Sequence, residues 1–352
     1  MKFYLSFRPI FLMSLCVILV KGITCQSQEI VEIFDIALEQ PFLQNIRQVT
    51  FPFMGFEKAG EAYFSPDGNT IIFQAVPENQ NHYQIFTMNL EEGIPVMVST
   101  GRGACTCAYF RPDGQKIIFA SSHDDPQLNP DNNDQPVPGY QRDRGQYVWE
   151  FTPYMNIYEA NPDGTELIPL TQGPAYHAEC AYSNDGTRIV FASNESGSMN
   201  IYTMNADGTG VKQITHTTTC YNGGCFFSPD CSEIVFRADR DIPHYLQIYL
   251  INSDGSNERQ LTNNHAVNWA PFWHPNGKVI AFTTSLHGHA HYEIYLLNIE
   301  TNRHFRLTHD ASFDGLPAFS NDGSKIMWTS KRGPDNTSQV FIADFLMPEE
   351  LQ

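Results

Sequence analysis

Apolar residues come in short blocks that recur along the chain: Thr70–Ala75 (TIIFQA), Lys116–Ser121 (KIIFAS), Arg188–Ser193 (RIVFAS), Glu233–Ala238 (EIVFRA), Val279–Thr284 (VIAFTT) and Lys325–Ser330 (KIMWTS). Runs of this length, rich in Ile, Val and Phe, read as strands buried on both faces. Each block follows a turn of one composition: Phe64–Gly68, Phe110–Gly114, Tyr182–Gly186, Phe227–Cys231, Trp273–Gly277 and Phe319–Gly323. The turn residues Asp67, Asp113, Asp185, Asp230, Asn276 and Asp322 lie 45 or 46 positions apart, with one gap of 72. Gly at the end of such a turn supplies a positive φ, so Cys231 in the fourth turn is expected to be strained. An Ile/Val–aromatic pair marks a third strand in every unit: Ile85-Phe86, Ile157-Tyr158, Ile201-Tyr202, Ile248-Tyr249, Ile294-Tyr295 and Val340-Phe341. Asn-x-Asp-Gly turns then lead to a fourth strand ending in Val98-Ser99, Leu170-Thr171, Ile214-Thr215, Leu261-Thr262 or Leu307-Thr308.

Four antiparallel strands per unit of about 45 residues is the arithmetic of a propeller blade. The fold class is therefore all-β, a six-bladed β-propeller over residues 44–345. The long gap places an insertion at about 121–154, between the second and third strands of blade 2. The sixth unit lacks a fourth strand, and Ile46–Thr50 has the right pattern to supply it. The N-terminal strand is thus expected to close the ring and remove a sheet edge.

Residues 1–26 read as a signal peptide. Lys2 and Arg8 precede a twelve-residue, mostly apolar run from Pro9 to Val20. That is too short to span a bilayer comfortably, so cleavage is favoured over anchoring. Residues 27–43 form a leader and 346–352 a tail. The expectation is an exported, periplasmic or extracellular monomer with no membrane span after cleavage. The chain has a formal charge of −18. Removing Lys2, Arg8 and Lys21 would carry that to −21. An acidic chain argues against nucleic acid and against anionic membrane surfaces. Six cysteines follow the signal, an even count that permits disulfides without selecting a pairing.

The aromatic-Ser-Pro-Asp-Gly turn, the Ile-Tyr hairpin with Asn-x-Asp-Gly-Thr and the closing Leu-Thr resemble the WD-type propeller repeats of TolB. The resemblance covers residues 44 to about 345 and implies the fold. Only about eighteen residues separate the signal from the first strand, so the Tol–Pal partnership is not expected to carry over. Propellers also precede hydrolase domains in prolyl-oligopeptidase-type peptidases, but this chain has no G-x-S-x-G elbow.

Aligning the blades gathers Ala59, Cys105, His177, Asn222, Asn268 and Asp314 at the entrance to the first strands. Two positions later come Glu61, Cys107, Glu179, Gly224, Ala270 and Leu316, expected on the same strand face. Both columns are expected to rim a central funnel. His177, Glu179, Asn222, Asn268, Asp314 and Glu61 are the candidate ligand-binding residues; a hydrogen-bonded ring sealing the axis is the plainer reading of the same column. A divalent metal in the funnel is one expectation, as is a metal on His287, His289 and His291 if they alternate along a strand. The insertion, acidic early and aromatic and basic later (Tyr140, Arg142, Arg144, Tyr147, Trp149, Tyr154), is expected over this face. With no nucleophile motif, the favoured function is a binding or protein-interaction module for a protein partner or a small polar ligand. The alternative is a metal-dependent, polysaccharide lyase-like enzyme. Catalytic residues are not assigned.

Overall fold

In the computed structural model, residues 35–128, 141–143, 146–148 and 151–352 are described. The expected signal segment and Tyr140, Arg144 and Trp149 of the insertion lie outside them. Among the described residues, six four-stranded antiparallel sheets follow one another along the chain. Their first strands are Phe56–Phe64, Cys105–Phe110, His177–Tyr182, Asn222–Phe227, Asn268–Trp273 and Asp314–Phe319. The second strands carry the core. One aromatic at the same repeat position in each, Phe73, Phe119, Phe191, Phe236, Phe282 and Trp328, is fully buried. Each such burial contributes about 2–3 kcal/mol.

The turns work as their composition implies. The Ser65 hydroxyl donates to Asp67 Oδ1 (2.6 Å) and accepts from the Thr70 amide (2.9 Å), which fixes the loop into the second strand. The same clasp recurs at Ser183–Asp185, Ser228–Asp230 and Ser320–Asp322. These bonds hold the Asp322 carboxyl down at about 2, the Ser320 hydroxyl contributing most. Cys231 takes φ 61° where the other turns place glycine. A β-carbon there costs about 1–2 kcal/mol.

The Leu-Thr ending of each unit has a structural reason. The hydroxyls of Ser99, Thr171, Thr215, Thr262 and Thr308 accept the backbone N–H of the third-strand isoleucine in their own blade, at 2.8–2.9 Å. In blade 6 the equivalent acceptor is Thr50, which receives the Val340 amide (2.8 Å) and donates to Gln339 Oε1 (2.8 Å). The N-terminal strand, Leu43–Gln48, pairs antiparallel with Gln339–Phe345 and completes the sixth sheet. Ring closure by the N-terminal strand is therefore as expected, with Val49-Thr50 standing in for the missing Leu-Thr.

The leader also has a packing role that its sequence does not announce. Glu39, fully buried, makes two bonds to Arg332 (2.8 and 3.1 Å) and accepts the His309 amide. Arg332 also pairs with Asp314 (2.5 Å), whose other oxygen accepts Trp328 Nε1 (2.9 Å). A buried ion triad thus ties residues before the ring to its last blade.

The six cysteines of the described residues are free thiols, so none of the permitted disulfides is formed. Cys105, Cys107, Cys180 and Cys225 are buried, and burial pushes their thiols up, Cys105 to about 11. Such thiols are poor nucleophiles near neutral pH.

Candidate functional site

The first strands share a defect that organises the centre of the ring. Each carries a β-bulge, and the residue at the bulge takes a left-handed backbone: Glu61 (φ 41°), Cys107 (54°), Glu179 (56°), Gly224 (59°), Ala270 (49°) and Leu316 (57°). Five of the six are not glycine, and each pays roughly 1 kcal/mol or more for that conformation. A bulge re-aims its side chain, which breaks the expected two-residue alternation. All six bulge residues line one cavity of about 750 Å³.

Hydrogen bonds between blades seat the bulges. The Glu61 amide donates to Thr329 Oγ1 (3.0 Å) and the Leu316 amide to Thr283 Oγ1 (3.0 Å), in each case a side chain on the second strand of the preceding blade. Gln74 serves Cys107 in the same way. At blade 4 the corresponding second-strand residue is Ala192, which has no acceptor. There the Glu179 carboxylate takes the Gly224 amide instead. Glu179 also accepts the Tyr221 hydroxyl (2.7 Å) and pairs with Arg237 (3.3 Å), which in turn donates to Tyr221 (2.8 Å).

The cavity floor is aromatic. Tyr63, Tyr109, Phe226 and Phe272 occupy one repeat position in four blades and meet edge to face or tilted, with centroids 4.9–6.0 Å apart. The equivalent residues in blades 3 and 6 are Ala181 and Ala318. Tyr83, Tyr176, Trp269, Tyr292 and Phe313 add rings to the wall, and Lys58, His289 and Lys331 add charge or polarity. Burial raises Glu61 to about 6, with the Glu179 charge adding to it and the Cys107 thiol, Arg237 and Tyr63 opposing.

This geometry redraws the candidate list. Glu61 and Glu179 face the cavity. His177, Asn222, Asn268 and Asp314 do not; they are buried within the blades. Asn222 bonds Met199 O and Thr217, Asn268 bonds Gln247 and Asn264, and Asp314 belongs to the triad with Arg332. The physical reason is that the entrance position precedes the bulge and still points into the sheet packing. The histidines of His287–His291 sit in turns rather than on a strand, which begins only at Glu293. His287 bonds Tyr295, His289 bonds Tyr292 and His291 bonds Ala311 O. Among the described residues, no three His, Cys, Asp or Glu side chains converge as a metal set. Of the insertion, a short hairpin pairs Gln141–Asp143 with Gln146–Val148, and Phe151 packs on Tyr176 (5.3 Å) and Tyr221 (6.2 Å), beside the cavity wall.

Arg237 was the legible residue the columns passed over. It is the one charged side chain at the fifth position of the apolar blocks, in EIVFRA, where the others carry Gln, Ala or Thr.

Fold and cavity together define a six-bladed propeller closed by its N-terminal strand around an axial pocket. It is similar to the propellers of TolB: residues 248–346 match the TolB beta propeller domain family. A TolB homolog of Chlorobium luteolum is 26% identical over 136 residues, 38% of this chain and 30% of that protein. The chain thus spans less than a third of that relative's length. Among solved structures, a putative TolB from Agrobacterium tumefaciens superposes with a TM-score of 0.58 at 19% identity, over 90% of this chain and 97% of that one. An oligogalacturonate lyase in complex with manganese gives 0.53 at 16% identity, over 87% of this chain and 94% of the lyase. Likeness at this identity concerns the fold.

Proposed function

We propose that this protein is an exported binding module that holds its ligand in the axial cavity. The observation that carries this reading is the ring of six strained bulges, which turns Glu61 and Glu179 into an open-mouthed cavity of ligand size walled by aromatic rings. Strain of this kind is retained where a site requires it, and ligand pockets are mostly apolar concavities of about 300–1,000 Å³. Export rests on the character of residues 1–26; among the described residues, no helix is long and apolar enough to cross a membrane. N-terminal sequencing of the protein recovered from its host should begin near residue 27, and an intact Met1 would contradict cleavage.

The binding reading is tested with a fragment library and ligand-observed NMR on the wild type and on the Tyr83→Ala/Trp269→Ala variant. Hits should lose about tenfold or more in affinity in the variant. Hits whose binding is the same in both proteins would place the ligand elsewhere.

A further inference from the structure

We propose that the cavity takes an organic monocation, a protonated amine or guanidinium on an apolar body, with its charged end against Glu61. This deepens the binding reading and rests on it. The two carboxylates of the cavity are not equivalent. Glu179 already has three partners: Arg237, Tyr221 and the Gly224 amide. Among the described residues Glu61 accepts the Tyr63 hydroxyl (3.3 Å), lies beside the Cys107 thiol and makes no ion pair. The groups that face it are Glu179, Arg237, Tyr63, Tyr83, Cys107 and Cys180. Two carboxylates and one guanidinium leave the deep part of the cavity one positive charge short.

The rings make the same choice. Tyr63, Tyr83, Trp269 and Phe272 share the cavity with Glu61, and aromatic faces attract cations, more so where water is excluded. Lys58 already uses this property, lying 4.9 Å over the Tyr83 ring. An anion placed deep would meet two carboxylates. A metal ion would find Glu61, a thiol and a phenol, with Glu179 already held by Arg237, Tyr221 and the Gly224 amide, too few open hard ligands to replace its water. Lys58 stands three residues toward the strand entrance from Glu61, and Lys331 is exposed on the cavity wall and within electrostatic reach of it. Both repel a second cation, so a diamine gains nothing over a monoamine.

The test uses three probes of one shape and different charge, benzylamine, benzyl alcohol and benzoate, titrated into the full chain by calorimetry. At pH 7.5 benzylammonium should bind about tenfold tighter than either of the others. Glu61→Gln should bring it to within about twofold of benzyl alcohol. Lowering the pH from 7.5 to 5 protonates a carboxyl that titrates at about 6. Benzylamine stays charged over that range, so its affinity should fall about tenfold while that of benzyl alcohol holds. Equal binding of the three probes by the wild type, weakened by Trp269→Ala, overturns the cation preference and leaves the cavity reading intact. No binding of any probe overturns both. If Glu61→Gln does not fold, the probe series and pH dependence on the wild type decide alone.

Discussion

Replacing Arg332 with alanine should cost about 3–5 kcal/mol at pH 7, because it strips the shared cation from two buried carboxylates. Glu39 and Asp314 are both fully buried, and among the described residues the guanidinium is the only cation either one bonds. Burial already raises the Asp314 carboxyl, with Arg332 opposing. Without Arg332 the Asp314 carboxyl would hold its proton more tightly folded than unfolded. A carboxyl raised in the folded state adds stability that is present below its unfolded value and lost as pH rises through its folded value. The deficit should therefore be smaller at pH 5 than at pH 8. Urea denaturation at the two pH values checks this. A loss under about 1 kcal/mol that does not change with pH would match an exposed pair instead. Replacing the whole triad by Glu39→Gln, Asp314→Asn and Arg332→Met should recover much of the loss, since no charge is then left unpaired.

A larger effect is expected from removing residues 1–50. That deletion takes away the fourth strand of blade 6, the Thr50 clasp and Glu39 together. It also removes Leu43 and Val49 from the core and opens a full strand edge along Gln339–Phe345. Lost burial and the broken triad sum to most of the roughly 5–15 kcal/mol that holds a domain folded. The truncated chain should aggregate or lack a cooperative transition by near-UV circular dichroism. A synthetic peptide of residues 35–50, added in trans, should restore a monomeric, cooperatively folded species on gel filtration. A truncated chain that is monomeric and cooperative without the peptide would show that ring closure is not what stabilises the fold.

The fold was legible because it repeats. One turn, Asp-Gly in four units and Asp-Cys or Asn-Gly in the other two, and one apolar block recur six times and leave little room for another architecture. Ring closure was legible too, since Val49-Thr50 carries the pattern that every other blade carries as Leu-Thr. The site was less so. Alignment placed Glu61 and Glu179 correctly in a column, but Glu, Cys, Ala and Leu carry no preference for a left-handed backbone, so nothing in the sequence marks the bulge. The polar entrance column reads as a site because buried polar residues are rare, but its Asn side chains bond the preceding blade and the linking loop, and its Asp bonds Arg332 and Trp328. Glu39 and Arg332 lie 293 residues apart and meet only because the ring closes. Arg237, a lone charge inside an apolar block, was the available clue to the pairing of Glu179.

The central claim is that the bulge ring holds a half-buried Glu61 in an axial cavity and leaves its carboxylate open to a cation. The most direct measurement is a carbon-13 NMR pH titration of the Glu61 side-chain carboxyl, assigned with Glu61→Gln. The predicted midpoint is about 6 in the free protein. It should move lower with saturating benzylammonium, which favours the charged form. A midpoint near the ordinary glutamate value of about 4.3, unmoved by the amine, would contradict the account.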